Sequence, residues 1–193
     1  SHGEPSNLEQ ALLEEMQRAR LNPPGEVEII LAVPGVKSAM QQFKTDEQKL
    51  RDDFKTYTAV APLSFDAKLM ASSRFHSEDM ATNGFQEHDG SAGEGFDKRI
   101  DDAGYKWSFA SENIFAYADS VPFCHAAFMV DWGNVEPGHR NAILDIDGKK
   151  RDVGISIIEM PASPAVGPLV VTQDFGNPAS SPPNAQKYIV GVV

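Results

Sequence analysis

The order of helical and β-like segments predicts an α+β domain, with helices packed on a small, largely antiparallel sheet. Amphipathic helical patterns come first along the 193-residue chain, and three runs rich in β-branched residues come last. Hydrophobic residues make up 41% of the sequence, which is enough for a packed core. A chain of this length forms one domain, so we expect residues 7–193 to fold together behind a flexible tail, residues 1–6.

The first helix is predicted in SNLEQALLEEMQRAR, where apolar residues recur at the helical period. Ser6 and Glu9 form a capping box at its start, and the segment NPPG at residues 22–25 ends it. A short helical segment, EVEIILA, follows. Residues 36–61 are polar with weak periodicity, which predicts short helices and loops.

The clearest helical pattern is FDAKLMASSRFHSEDMATNG, which Asp66 caps and which Asn83 and Gly84 end. His76 lies on its buried stripe, where a histidine is typically a hydrogen-bonded core residue. A third helix is predicted over residues 120–132. Pro122 is compatible with it, because a proline is tolerated in the first turn of a helix.

Four segments have β-like patterns. SENIFAYA is either a strand or an extended segment, and DVGISIIE, PLVVTQDFG and YIVGVV follow it along the chain. Connectors rich in Pro, Gly and Ser separate the last three runs, which favours short strands in one sheet.

The composition excludes several classes of partner. The formal net charge is −11 and the isoelectric point is about 4.8, so the surface repels phosphate backbones and anionic lipids. No apolar run approaches the roughly 18 residues of a membrane span. Cys124 is the only cysteine, so no intramolecular disulfide can form. We expect no nucleic-acid partner, no membrane span, and a monomer.

Three residues are the candidates for chemistry. His88 and His139 occur in turn-rich segments, where functional groups concentrate. Glu112 enters the apolar run of ASENIF, and a buried carboxylate there needs a cation, a hydrogen-bond donor or a metal. Two histidines and a carboxylate, with water as fourth ligand, form a zinc donor set. Their spacing is long-range and no contiguous zinc motif occurs, so an internally bonded polar cluster is the open alternative.

Other motifs carry less chemistry. Ser91 lacks the nucleophile-elbow pattern because Asp89 takes the place of its first glycine. The segment DIDGKKRD, with Asp145 and Asp147, lacks the closing glutamate of a calcium loop, so a charged turn is the simpler interpretation. Cys124 lies within a predicted helix and is interpreted as a buried structural thiol.

Taken in order, six segments resemble the CAP superfamily, also called the SCP or antigen-5/pathogenesis-related domain. They are RFHSEDMATNGFQEHDG, RIDDAGY, SENIFAYA, GHRNAIL, DVGISI and VTQDFG, and EEMQRARLNPPGEV precedes them. The form resembled is the bacterial, disulfide-free type. The resemblance implies an α-β-α sandwich and a secreted or periplasmic protein, although the opening residues SHGEPS show no leader.

The resemblance also implies a cleft with two histidines and two acids, which in some members binds a divalent metal such as zinc. His88 matches the first histidine, Glu112 the first acid and His139 the second histidine. The second acid is either Asp131 or Glu136, because neither stands at the usual position after the tryptophan, and we rank Asp131 first. Residues expected to support the cleft are Asn113, Arg140 and His76.

Two functions follow from these observations. The first is an exported, non-catalytic module whose cleft binds a divalent metal, a small ligand, a lipid or a protein partner. The alternative is a peptidase-like, metal-assisted hydrolase in which Asp131 or Glu136 is the general base for a metal-bound water. The absence of a nucleophile beside a base in the sequence favours the first.

Overall fold

The computed structural model describes residues 2–134, 136–161 and 163–180. Within these ranges the helices are α1 (Asn7–Leu21), α2 (Pro23–Ala32), α3 (Val36–Gln42), α4 (Glu47–Thr56), α5 (Ala67–Asn83), α6 (Phe96–Asp102), α7 (Val121–Val130) and α8 (Gly138–Ile143). The strands are β1 (Ser64–Phe65), β2 (Trp107–Ala118), β3 (Asp152–Glu159) and β4 (Leu169–Pro178). The predicted YIVGVV strand lies outside the described residues.

The strands form one sheet in the order β1-β3-β4-β2. Strand β4 pairs antiparallel with both β3 and β2, and only the two-residue β1 pairs parallel, with β3. The largely antiparallel sheet of the prediction is therefore confirmed. Strand β2 lies at the end of this order, so its outer edge has no strand partner among the described residues.

Helices cover both faces of the sheet. Side chains alternate between the two faces along each strand, so each face has residues that pack against a helical layer. Ile155 and Ile157 of β3 and Val171 of β4 join the main core with α1, α2 and α7. The alternate residues of both strands face α5. Val170 of β4, for example, packs with Met80 of α5. The α+β class and the α-β-α sandwich are both confirmed.

The contact between α5 and the sheet is unusually polar. Buried serines and His76 on α5 face Ser156, Thr172 and Asp174 of the sheet. Ser77 donates a hydrogen bond to the Thr172 hydroxyl at 2.8 Å. The Ser156 hydroxyl and the Asp174 carboxyl group, by contrast, have no hydrogen bond of ordinary geometry to a described residue.

Several predicted helix ends agree with the structure. Ser6 and Glu9 form the capping box of α1, Asp66 caps α5, and Gly84 ends α5 in the left-handed conformation. Asn22 ends α1 and also caps α2, whose first turn contains both prolines. The segment NPPG therefore begins a second helix as well as ending the first. Proline fits a first turn because the backbone N–H that it lacks would have no intrahelical partner there.

Other local predictions were wrong. The third helix ends at Val130, two residues early, where Asp131 adopts a left-handed conformation with φ of 57°. His139 lies in α8, a short helix that was expected to be a loop. Helices do not all precede strands, since β2 comes before α7.

The N-terminal residues lie against α5. Arg74 donates hydrogen bonds to the carbonyl oxygens of Gly3 at 2.8 Å and Glu4 at 2.9 Å. Two residues of the segment expected to be a flexible tail are thus hydrogen-bonded to α5. None of the helices in the described ranges is both long and apolar enough to cross a bilayer.

We expect Gly154→Ala to lower the free energy of unfolding by roughly 1–3 kcal/mol, the usual effect of overpacking. A Cβ at this position of β3 would overlap the backbone of Leu69 and Met70 in α5. Urea unfolding measures the change. Gly138→Ala is the control, because a Cβ there has no neighbour within 4 Å. Equal stability of the two variants would contradict close packing of α5 on β3.

Candidate functional site

The first of two histidine–acid pairs joins the loop after α5 to strand β2. The His88 Nδ1–H donates to Glu112 Oε1 at 2.8 Å. The Glu112 side chain is fully buried, whereas that of His88 is 53% exposed. The imidazole is thus fixed through Nδ1 by a buried carboxylate, and its Nε2 has no hydrogen bond to a described residue.

Arg99 of α6 neutralises the same carboxylate. Its Nη2 donates to Glu112 Oε2 at 2.7 Å and to the His88 carbonyl at 2.9 Å. Both Glu112 oxygens are therefore occupied, one by an imidazole and one by a guanidinium. Sequence reasoning missed Arg99, although its spacing from Phe96 and Ile100 places it on the inward face of a helix.

Asp174 of β4 is a second buried acid that sequence reasoning missed. It lies directly opposite Glu112 in the β2–β4 register and has no exposed surface. Neither oxygen makes a hydrogen bond of ordinary geometry within the described ranges. Burial and the neighbouring charge of Glu112 raise the pKa of Asp174 well above 3.8, outweighing the opposite influence of Ser72 and Arg99. An acid within the apolar run PLVVTQDFG was the available signal, the same signal that identified Glu112.

His76 completes the buried cluster as a structural residue. Its side chain is fully buried, and Nε2–H donates to the Glu87 carbonyl at 2.9 Å. The Glu112 carboxylate is 4.0 Å away. Burial lowers the pKa of His76, and its effect exceeds the opposing charge of Glu112, so a neutral imidazole is favoured here. The geometry agrees with the expected hydrogen-bonded core histidine.

The second pair joins the end of α7 to α8. The His139 Nδ1–H donates to Asp131 Oδ1 at 2.7 Å, and the His139 backbone N–H donates to Oδ2 at 2.8 Å. The left-handed turn at Asp131 directs this buried carboxylate back across the α7–α8 connection. Burial raises the pKa of Asp131, but hydrogen bonds and charge from His139, with Asn134, outweigh it and hold the pKa below 3.8.

Asn113 connects the two pairs across strand β2. Its side-chain amide donates to the His139 carbonyl at 3.2 Å and to Gln173 Oε1 at 3.0 Å. Because Asn113 follows Glu112 in a strand, the two side chains face opposite sides of the sheet. The two histidine pairs therefore flank the edge strand.

Arg140 connects α8 to the end of α7 and to α4. It donates to the Met129 carbonyl at 3.3 Å and to Asp53 at 3.5 Å, and lies 5.4 Å from the centre of the Phe54 ring. Glu136 is exposed and belongs to neither pair. Of the two candidate acids, Asp131 is the one in contact with a candidate histidine, His139.

The geometry does not assemble His88, Glu112 and His139 as three adjacent metal donors. Among the described residues, only Glu15, Glu26 and His125 form a group of three or more potential ligands whose donor atoms all lie within 4.8 Å of one another. Both glutamates of that group already form ion pairs with the Arg18 guanidinium. The zinc set stays a prediction.

The remaining motifs have structural contacts. The Ser91 hydroxyl donates to Asp79 at 2.6 Å. Asp147 pairs with Lys150 at 2.6 Å within the charged turn. Cys124 is fully buried, and burial raises the pKa of its thiol. None of these side chains lies beside a free base.

We expect Asp131→Asn to lower the free energy of unfolding by about 1.5–3 kcal/mol at pH 7, the range for hydrogen bonds to charged groups. The folded pKa lies below the unfolded value of 3.8, so this contribution is full above pH 4 and is lost as the pH falls through the folded pKa. Urea unfolding between pH 2.5 and pH 7 measures it, with Asp119→Asn at an exposed position between β2 and α7 as control. A pH-independent difference would contradict the ionised pair.

Asp174→Asn is expected to act in the opposite direction. The folded pKa lies above 3.8, so the contribution of Asp174 to wild-type stability falls by about 1.4 kcal/mol per pH unit as the pH rises from 3.8 to the folded pKa. The variant lacks this slope and becomes the more stable protein at pH 7. Unfolding curves from pH 3.5 to pH 8 compare the two. A variant that loses stability relative to wild type as the pH rises would show that Asp174 is ionised when folded.

A family match and a structural similarity relate this chain to known proteins. A family model described as "CAP: Cysteine-rich secretory protein family" matches residues 48–175, which is more than half of the chain. None of the curated proteins matches significantly. The crystal structure of an extracellular protein containing a SCP domain from Bacillus anthracis str. Ames is similar at 20% identity and a TM-score of 0.48. The match covers 73% of this chain and 41% of that one. On the strength of the family match, this chain belongs to the CAP family.

Proposed function

We propose that this chain is an exported, non-catalytic binding module whose two cleft histidines bind a divalent cation or a small ligand through Nε2. One observation carries the proposal. Each imidazole, in His88 and in His139, is held through Nδ1 by a buried carboxylate while its side chain stays partly exposed, at 53% and 27%. Export is supported by the family's printed description as secretory.

A carboxylate on Nδ1 prepares a histidine to bind a metal. It fixes the ring orientation, sets the tautomer that leaves the Nε2 lone pair free, and raises the basicity of that nitrogen. Zinc accepts imidazole nitrogen readily. The two pairs have the same arrangement, so one ligand class suits both.

The acids themselves do not fit as direct ligands. Glu112 is occupied by His88 and Arg99, and both oxygens of Asp131 bind His139. An ion here would have two imidazole ligands, and its other positions would be open to water or to a ligand group. The proposal thus differs from the three-ligand set, because the acids support the histidines.

The same contacts favour binding over catalysis. Asp131 was the preferred general base of the hydrolase alternative, yet both of its oxygens are bound within the protein. Glu136 is exposed and belongs to neither pair. No observation in the described residues therefore supports a base positioned to activate water.

Zinc titration by calorimetry tests the proposal at pH 7.5 and pH 5.5. Wild type is expected to bind one ion with a micromolar dissociation constant, weaker at pH 5.5 because protonated imidazole is not a ligand. Loss of one of two ligands in His88→Ala or His139→Ala is expected to weaken binding at least tenfold. Glu15→Gln is the matched control, because it alters the other group of potential ligands.

Two outcomes would overturn the metal part of the proposal. One is the absence of saturable binding to wild type. The other is binding that persists in both histidine variants but is lost in Glu15→Gln, which would place the ion among α1, α2 and α7.

A further inference from the structure

Arg99 of α6 contacts both the backbone of His88 and the carboxylate that holds its imidazole. The guanidinium Nη2 donates to the His88 carbonyl oxygen at 2.9 Å and to Glu112 Oε2 at 2.7 Å. The other oxygen of that carboxylate accepts the His88 Nδ1–H at 2.8 Å. These contacts form a closed ring of three residues, so the guanidinium fixes the imidazole relative to the backbone that carries it.

The same guanidinium closes the loop that follows α5. Its Nη1 donates to the Glu94 carbonyl oxygen at 2.8 Å, and the Gly90 N–H donates to that same oxygen at 2.9 Å. Arg99 therefore bonds the loop at residues 88 and 94. The tip of the loop is held separately, because Asp79 of α5 accepts the Ser91 N–H at 2.7 Å and the Ser91 hydroxyl at 2.6 Å.

The chemistry of arginine suits this position. A guanidinium is planar, stays charged and presents its N–H groups in a fixed fork, whereas a lysine ammonium is a strongly hydrated point charge on a flexible stem. The Arg99 side chain is 2% exposed, so an ammonium in its place would lose the hydration that it favours. A buried carboxylate such as that of Glu112 is stable only when it is paired.

The second histidine pair has no corresponding residue. The Asp131 carboxylate accepts hydrogen bonds from the His139 imidazole, the His139 backbone and the Asn134 amide. Among the described residues, no arginine or lysine forms an ion pair with Asp131. The two pairs thus differ in how the acid is held, so His139 is a natural reference for the role of Arg99.

We infer that Arg99 is a positioning residue for His88, because it holds the Glu112 carboxylate and the loop so that the imidazole carries its proton on Nδ1 and presents the Nε2 lone pair to a ligand. The inference rests on the proposed function of His88, but the tautomer is present without any ligand. A carboxylate on one ring nitrogen fixes both the tautomer and the orientation of the ring.

Arg99→Lys tests this role without removing the charge that balances Glu112. Two-bond ¹H–¹⁵N correlation spectra at pH 8 report which ring nitrogen of each histidine carries the proton. Wild-type His88 is expected to carry it on Nδ1. In the variant His88 is expected to become a mixture of both tautomers, while His139 keeps its wild-type signals. Arg99→Gln, which keeps a neutral donor, is the second variant, and the same change is expected.

Leu12→Ala is the control for a loss of stability alone. Leu12 is fully buried in the core on the other face of the sheet, so this variant destabilises the fold without touching the loop. Its His88 signals are expected to match those of wild type. In the zinc titration, Arg99→Lys is expected to raise the dissociation constant about tenfold, the usual effect of losing a partner outside the ligand shell.

The inference is overturned if wild-type His88 carries its proton on Nε2, if Arg99→Lys keeps a single Nδ1–H tautomer, or if Leu12→Ala gives the same mixture. Failure of the proposed function has a different signature. Zinc would then not bind at the histidines, while the tautomer of His88 would still depend on Arg99.

Discussion

The ion pair between Arg99 and Glu112 is the constraint on which the site depends. A carboxylate with no exposed surface is stable only when it is paired and hydrogen-bonded, and Arg99 supplies the charge at 2.7 Å. The same guanidinium binds the carbonyl oxygens of His88 and Glu94, so it also fixes the loop that carries the first histidine. Loss of Arg99 would leave Glu112 and Asp174 as two buried acids in adjacent strands.

Strand β2 carries residues of the candidate site on both of its faces. Glu112 and Asn113 are consecutive, so they face opposite sides of the sheet. Glu112 holds His88 on the α5 side, and Asn113 holds the His139 backbone on the side of α7 and α8. The outer edge of β2 is open beside these residues, because no further described strand covers it.

The layer between α5 and the sheet explains why acids are tolerated here. Because Gly154 has no side chain, α5 packs close to β3. The buried serines of α5 therefore lie near the polar residues of β3 and β4. Asp174 remains without ordinary hydrogen bonds, and burial raises its pKa, so the neutral form avoids the free energy of an isolated buried charge.

The sequence by itself determined the α+β class and both ends of α1 and α5, because capping residues, glycine and apolar periodicity act over a few residues. It also identified His88, Glu112 and His139 from their local surroundings, and Asp131 through the family resemblance. Only the tertiary structure decided that Asp131 bonds His139 while Glu136 does not, and that Arg99 and Asp174 join Glu112. Those contacts connect residues on different elements. Local sequence patterns carry no information about the register of two strands or about which helix packs against them.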